Sequence, residues 1–266
     1  MKINRLVCLF FLCACGNVSW AGTQEGIKAI QQADYKTAIK EFRSDAENGK
    51  GNAQYYLGAM YLFGQAVTKD EKIAAIWFEK AANQGVDGAQ YYLGNMYAEG
   101  RGVPKDDHLA FIWYTKAAKQ SHVNAQFNLG MAYANGLGIA KDDYAAVDWY
   151  RKAAEAGDRN AQHNLALMLD KGRGVKQDYQ QAHSWYVKAA EQGMTYSKAN
   201  LGVMYANGRG VEKDYAQAYM WLNLAASAGD AIAKDHRMQL EKIMTISQIS
   251  QGENLTQKWI RQHAKK

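Results

Sequence analysis

The chain has 266 residues, 48% of them apolar, a formal net charge of +6 and a single proline, Pro104. A charge this mild, with basic residues spread through the length, excludes a nucleic-acid footprint, and the lack of Gly/Ser linkers excludes a string of separate domains. The spacing of the residues points instead to one continuous all-α array.

Met1 to Ala21 reads as an export signal. Lys2 and Arg5 give a basic start, Leu6 to Cys15 is an uncharged apolar run, and Ser19-Trp20-Ala21 sets small residues for cleavage before Gly22. The run is too short for a membrane span. Cleavage there removes two positive charges and no negative ones, so +6 becomes +4, and it removes all three cysteines, Cys8, Cys13 and Cys15. The mature chain then has no disulfide and no thiol chemistry. Leu12-Cys13-Ala14-Cys15 offers a rival signal, the outline of a weak bacterial lipobox that would anchor a lipid on Cys15. The expected location is periplasmic or secreted, with an outer-membrane lipoprotein as the alternative.

Residues 22–52 read as a degenerate first unit. Asp34, Ala38, Phe42, Ala46 and Gly49 stand 36 residues before Asp70, Ala74, Phe78, Ala82 and Gly85. This predicts a helix over 34–48 with a short, poorly matched partner over 24–32.

Residues 53–232 hold five full copies of a 36-residue repeat, without an insertion. Leu57, Leu93, Leu129, Leu165 and Leu201 recur in register, as do Trp77, Trp113, Trp149, Trp185 and Trp221. A strict period of this length means a solenoid. Each copy contains two helices. Ala125, Leu129 and Tyr133 make one apolar stripe, and Ala146, Trp149, Tyr150, Ala153 and Ala154 make the other, which predicts burial of Trp149 between stacked helices. Gly64, Gly100, Gly136, Gly172 and Gly208 close the first helix. A second loop glycine follows at Gly102, Gly138, Gly174 and Gly210; Ala66 stands there in the first copy and predicts a different loop. Asp70, Asp106, Asp142, Asp178 and Asp214 cap the second helix, and Lys80, Lys116, Lys152 and Lys188 lie in its last turn, favourable to the helix dipole. Gly85, Gly157, Gly193 and Gly229 end the unit, with Ser121 as the exception.

Residues 233–266 change character. His236, Arg237, Gln239, Glu241 and Lys242 make a polar face, and a helix over 247–263 carries Ile249, Leu255, Trp259 and Ile260. These are the expected capping helices of a finite stack.

The repeat pattern A-Q-x-x-L-G-x-x-Y-x-x-G-x-G-V-x-x-D-x-x-x-A-x-x-W-Y-x-K-A-A-x-x-G resembles the Sel1-like repeat, a relative of the tetratricopeptide repeat. The resemblance implies a right-handed solenoid of stacked αα-hairpins.

No arrangement of catalytic residues stands out. The chain has no H-E-x-x-H, no Ser-x-x-Lys, no G-x-S-x-G and no phosphate-cradling glycine loop, and no third close ligand joins His163 and His183. No catalytic residue, metal or cofactor is expected. Some cysteine-rich members of the resembled family are linked with penicillin binding or weak β-lactamase activity, but this chain lacks their cysteine pairs. An enzyme acting on a cell-wall or β-lactam substrate is therefore the alternative class. The favoured one is a non-enzymatic scaffold that binds a protein or peptide in the cell envelope, with a secreted effector that binds a host protein as a further option.

The candidate binding residues lie at the third and fourth positions of the first helix, which, with the seventh and with the eleventh (Phe63, Asn135, Lys171 and Asn207), line the concave groove in a tetratricopeptide-like array. They are Tyr55, Tyr56, Tyr91, Tyr92, Phe127, Asn128, His163, Asn164 and Asn200. Tyrosines would anchor a ligand at one end, and the asparagines would donate to and accept from an extended peptide backbone. The competing reading is that the fourth position packs against the preceding helix.

Overall fold

The computed structural model describes residues 23–263, so the export segment and Cys15 lie outside the described residues. Among the described residues there are fourteen α-helices and no strand, the all-α array of helix pairs that the period implies. The chain divides into two compact units between Lys141 and Asp142. No described helix is long and apolar enough to cross a membrane.

Unit 1 holds α1 (Gln24–Gln31), α2 (Tyr35–Glu47), α3 (Gly51–Phe63), α4 (Glu71–Asn83), α5 (Asp87–Glu99), α6 (Asp107–Lys119) and α7 (Val123–Asn135). Each helix packs on the next. Asp34 caps α2 by accepting from the Thr37 amide. Phe42, Leu57, Met60, Phe78, Leu93 and Met96 are sealed in the core.

Unit 2 holds α8 (Asp143–Glu155), α9 (Arg159–Lys171), α10 (Tyr179–Glu191), α11 (Thr195–Asn207), α12 (Tyr215–Ser227), α13 (Ala231–Glu241) and α14 (Ile246–His263). Helices α8 to α13 pack in sequence, but α14 docks on α12. The reason lies one residue after the leucine position of the first helix. Gly58, Gly94 and Gly202 stand there and let Phe78, Tyr114 and Leu222 of the following helix come against the backbone. In α13 the residue at this position is Met238, which is half-exposed and packs no following helix. The last helix therefore turns back over α12, where Tyr219 lies against Gly252 and Trp221 meets Trp259 edge-on at 6.1 Å.

The five aspartates each accept backbone N–H groups at the start of a second helix, so a cap explains their recurrence. The loop glycines are required by a close approach. A Cβ on Gly138 would collide with the Asp107 carbonyl, and one on Gly174 with the Asp143 carbonyl. The first loop is not different in kind: Ala66 takes the same left-handed backbone, at φ 57°. Ser121 also keeps the left-handed turn of the glycines it replaces, at φ 67°.

Two further corrections concern side chains. Trp149 is not sealed between helices; it is part-exposed, and the Lys152 ammonium lies 3.9 Å above its ring. Lys80, Lys116 and Lys188 cover Trp77, Trp113 and Trp185 in the same way, so these lysines shield a tryptophan besides facing the helix end. The glutamine after each repeat's opening alanine is buried. In unit 1 Gln90 donates to the Ala82 carbonyl at 3.1 Å and accepts from Gln120 at 2.9 Å. In unit 2 Gln162 bonds Ala154 and Gln192 likewise. The fifth repeat has Lys198 and Ala228 at these two places, and the Lys198 ammonium sits 4.6 Å from the Trp259 ring centre. Burial lowers its pKa.

Candidate functional site

The nine candidate residues do not form one open row. Tyr55 and Tyr56 are each 3% exposed and belong to the core of unit 1, which corrects the expectation that they anchor a ligand. Their rings are large enough to fill the space between α2, α3 and α4. Tyr56 stacks on Phe42 at 4.8 Å and Tyr55 packs against Phe78.

Tyr91, Tyr92 and Phe127 are half-buried. Tyr92 stacks on Phe78 at 5.2 Å, and Tyr91 stacks on the His122 ring at 4.7 Å. His122 caps α7, its Nδ1 accepting from the Ala125 amide at 3.2 Å. Burial lowers its pKa, against the pull of Asp87.

The asparagines answer tyrosines. In unit 1 the Tyr114 hydroxyl donates to Asn95 Oδ1 at 2.8 Å, and Asn128 Nδ2 donates to the same oxygen at 3.1 Å. In unit 2 Asn164 faces the Tyr150 hydroxyl, whose pKa burial pushes up to about 12 while the asparagine holds it back. Asn200 faces the Tyr186 hydroxyl. That hydroxyl lacks a hydrogen bond of regular geometry, so Asn200 approaches without closing the bond. Burial raises the Tyr114 and Tyr186 pKa values as well. The fourth position thus reads the residue on the preceding helix. Phe42 and Phe78 meet Tyr56 and Tyr92, whereas Tyr114, Tyr150 and Tyr186 meet Asn128, Asn164 and Asn200. The competing reading of this position, packing against the preceding helix, is the one the geometry supports.

His163, one residue earlier, pairs forward instead, with the first helix of the next repeat. Its Nδ1 lies 2.8 Å from the Ser197 hydroxyl, and Ser197 is the only departure from alanine among the five opening positions. Ser197 is fully buried. His183 instead meets the Tyr205 hydroxyl at 3.2 Å. Burial lowers the pKa of both rings. Among the described residues no three His, Cys, Asp or Glu side chains converge to hold a metal.

Accessible side chains of the first helices lie mainly elsewhere, at the eleventh position. Phe63, Glu99 and Asn135 are exposed in unit 1, and Lys171 and Asn207 in unit 2. Sequence reasoning had this position in view but missed the crevices beside it, which form between consecutive first helices over the second helix between them. One in unit 1 is lined by α5, α6 and α7, and one in unit 2 by α11, α12 and α13. No local pattern signals them, because three helices contribute to each lining.

Comparison with known proteins bears on what such an array is. The Sel1 repeat matches five times, at residues 51–86, 88–122, 123–158, 159–194 and 195–230. The chain is similar to a protective antigen present in uropathogenic Escherichia coli strains that displays an SLR fold, with 39% identity and a TM-score of 0.76. The likeness covers 86% of this chain and 49% of the antigen, so the chain spans about half of that protein's length. It is also similar to a Sel1 repeat protein from Oxalobacter formigenes, with 33% identity and a TM-score of 0.74 over 82% of this chain and 87% of the other. No curated protein matches the chain.

Proposed function

The chain belongs to the Sel1 repeat family, and on that premise we propose that it is a non-enzymatic adaptor of the bacterial cell envelope. It binds a protein or peptide on the exposed side of its first helices. The observation that carries this reading is the contrast between buried and exposed positions. The buried leucines Leu57, Leu93, Leu129, Leu165 and Leu201 are identical, while the exposed eleventh positions are Phe63, Glu99, Asn135, Lys171 and Asn207. A stack that repeats its core and varies its surface suits recognition of a particular partner. The envelope location rests on the export pattern in residues 1–21.

A photo-crosslinking amino acid tests the reading in living cells. Placed at Phe63, Asn135, Lys171 or Asn207, it should trap one partner from the envelope fraction; placed at Ile76, an exposed second-helix residue, it should not. Trapping from Ile76 alone moves the site off the first helices. Mass spectrometry of the same fraction should find a chain that begins at Gly22. A diacylated Cys15 replaces the free form with a lipoprotein, and an intact Met1 on a cytosolic chain overturns the envelope location.

A further inference from the structure

The two crevices sit at the same register of the repeat and differ at the floor and the rim. The one in unit 1, about 230 Å³, has a floor closed by the Asn95–Tyr114–Asn128 hydrogen bonds, and the carboxylates of Glu99 and Asp107 in its lining pair with Arg101 at 2.7 Å and Lys105 at 3.6 Å. The one in unit 2 is larger, about 340 Å³. Val203, Leu222 and His236 stand where Asn95, Tyr114 and Asn128 stand in unit 1. The two carboxylates are replaced by Asn207 and Tyr215, and the lining contains Lys213 and no Asp or Glu.

The depth and the rim of this second crevice differ. Leu222 and Leu240 are buried at its base, 2% and 6% exposed, and offer no hydrogen-bonding group. Lys213 and His236 are exposed at its edge, with Ile243 62% exposed beside them. The Lys213 ammonium is 4.7 Å from the Tyr215 ring centre, so it is held at the rim. The crevice has an apolar floor and a cation at a fixed place on its lip. A ligand that matches both carries an apolar side chain next to a negative charge.

Resting on the reading of the chain as a peptide-binding scaffold, we infer that this crevice takes a Leu-, Ile- or Phe-sized side chain of a peptide whose neighbouring Asp or Glu pairs with Lys213. The unit 1 crevice takes the same peptide less well, because its floor is already hydrogen-bonded and Lys105, which stands where Lys213 does, is already paired with Asp107.

The test uses the mature full chain and a library of random dodecapeptides displayed on phage. Enriched peptides should share an apolar residue beside Asp or Glu. Lys213→Glu should weaken a synthetic copy of such a peptide about tenfold and Ile243→Ser should weaken it as well, while Glu99→Lys should leave it unchanged. Lys213, Ile243 and Glu99 are all exposed, so these variants keep the fold. Peptides that are enriched but indifferent to Lys213→Glu and Ile243→Ser overturn the crevice and leave the scaffold reading standing. A library from which nothing is enriched overturns both.

Discussion

Phe78 stacks on Tyr92 with ring centres 5.2 Å apart and planes 7° from parallel. One repeat later the same two positions hold Tyr114 and Asn128, and the stack has become a hydrogen-bonded cluster through Asn95. The exchange follows from the hydroxyl. A buried phenylalanine needs only a flat apolar neighbour, whereas a buried tyrosine leaves a polar group that costs about 1–3 kcal/mol if it goes unpaired.

That relationship makes the asparagines structural. Asn128→Ala and Asn164→Ala should each lower stability by about 1 kcal/mol, read as the urea midpoint of the purified chain. Adding Tyr150→Phe to Asn164→Ala should recover part of the loss, because the hydroxyl that needed a partner is gone. An Asn164→Ala variant that melts like the parent contradicts this account.

Trp149 contributes less than its size suggests. Phe78 is 0% exposed, and Phe78→Ala should cost about 3–5 kcal/mol. Trp149 keeps part of its surface in water beneath Lys152, so Trp149→Ala should cost less than Phe78→Ala, and Lys152→Met about 0.5–1 kcal/mol. Parallel denaturation of the three variants checks the order.

The left-handed turns give a pair of opposite effects. Ser121 carries a Cβ at φ 67°, and Ser121→Gly should raise stability by about 0.5–1 kcal/mol. Gly138→Ala forces a Cβ into the Asp107 carbonyl and should cost about 3 kcal/mol. Calorimetric melting of both variants reads the two signs.

Stability should fall on mild acidification. Burial holds His122 and His163 below the ordinary value of 6.5, and His122 caps α7 through a ring nitrogen that only the neutral form offers. The unfolded chain therefore takes up protons before the folded one. The stability from these rings is complete above 6.5 and is lost as pH drops below it toward their lowered folded-state values. The urea midpoint should decline as pH falls below 6.5. His122→Asn, which retains a capping acceptor, should flatten part of that slope.

Residues close along the chain made much of the fold legible. Gly136 ends a helix and Asp142 starts the next through groups within a few residues of themselves, so spacing alone reports them. The stripes of Leu129 and Tyr150 are equally local, because helical geometry sets which residues share a face. The candidate site was less legible. Tyr56 and Tyr92 occupy one repeat position, yet the first is sealed in the core and the second is half-open.

The sequence by itself determined the helix pairs, their caps and their stacking, since each depends on short-range backbone geometry repeated in register. Only the tertiary structure decided what the fourth position is for, because its partner lies on a neighbouring helix and is chosen by packing. It alone turned α14 back onto α12, where Trp259 meets Trp221 and the Lys198 ammonium. It also opened an apolar crevice beside Lys213, which arises where three helices converge and which no single stretch of chain encodes.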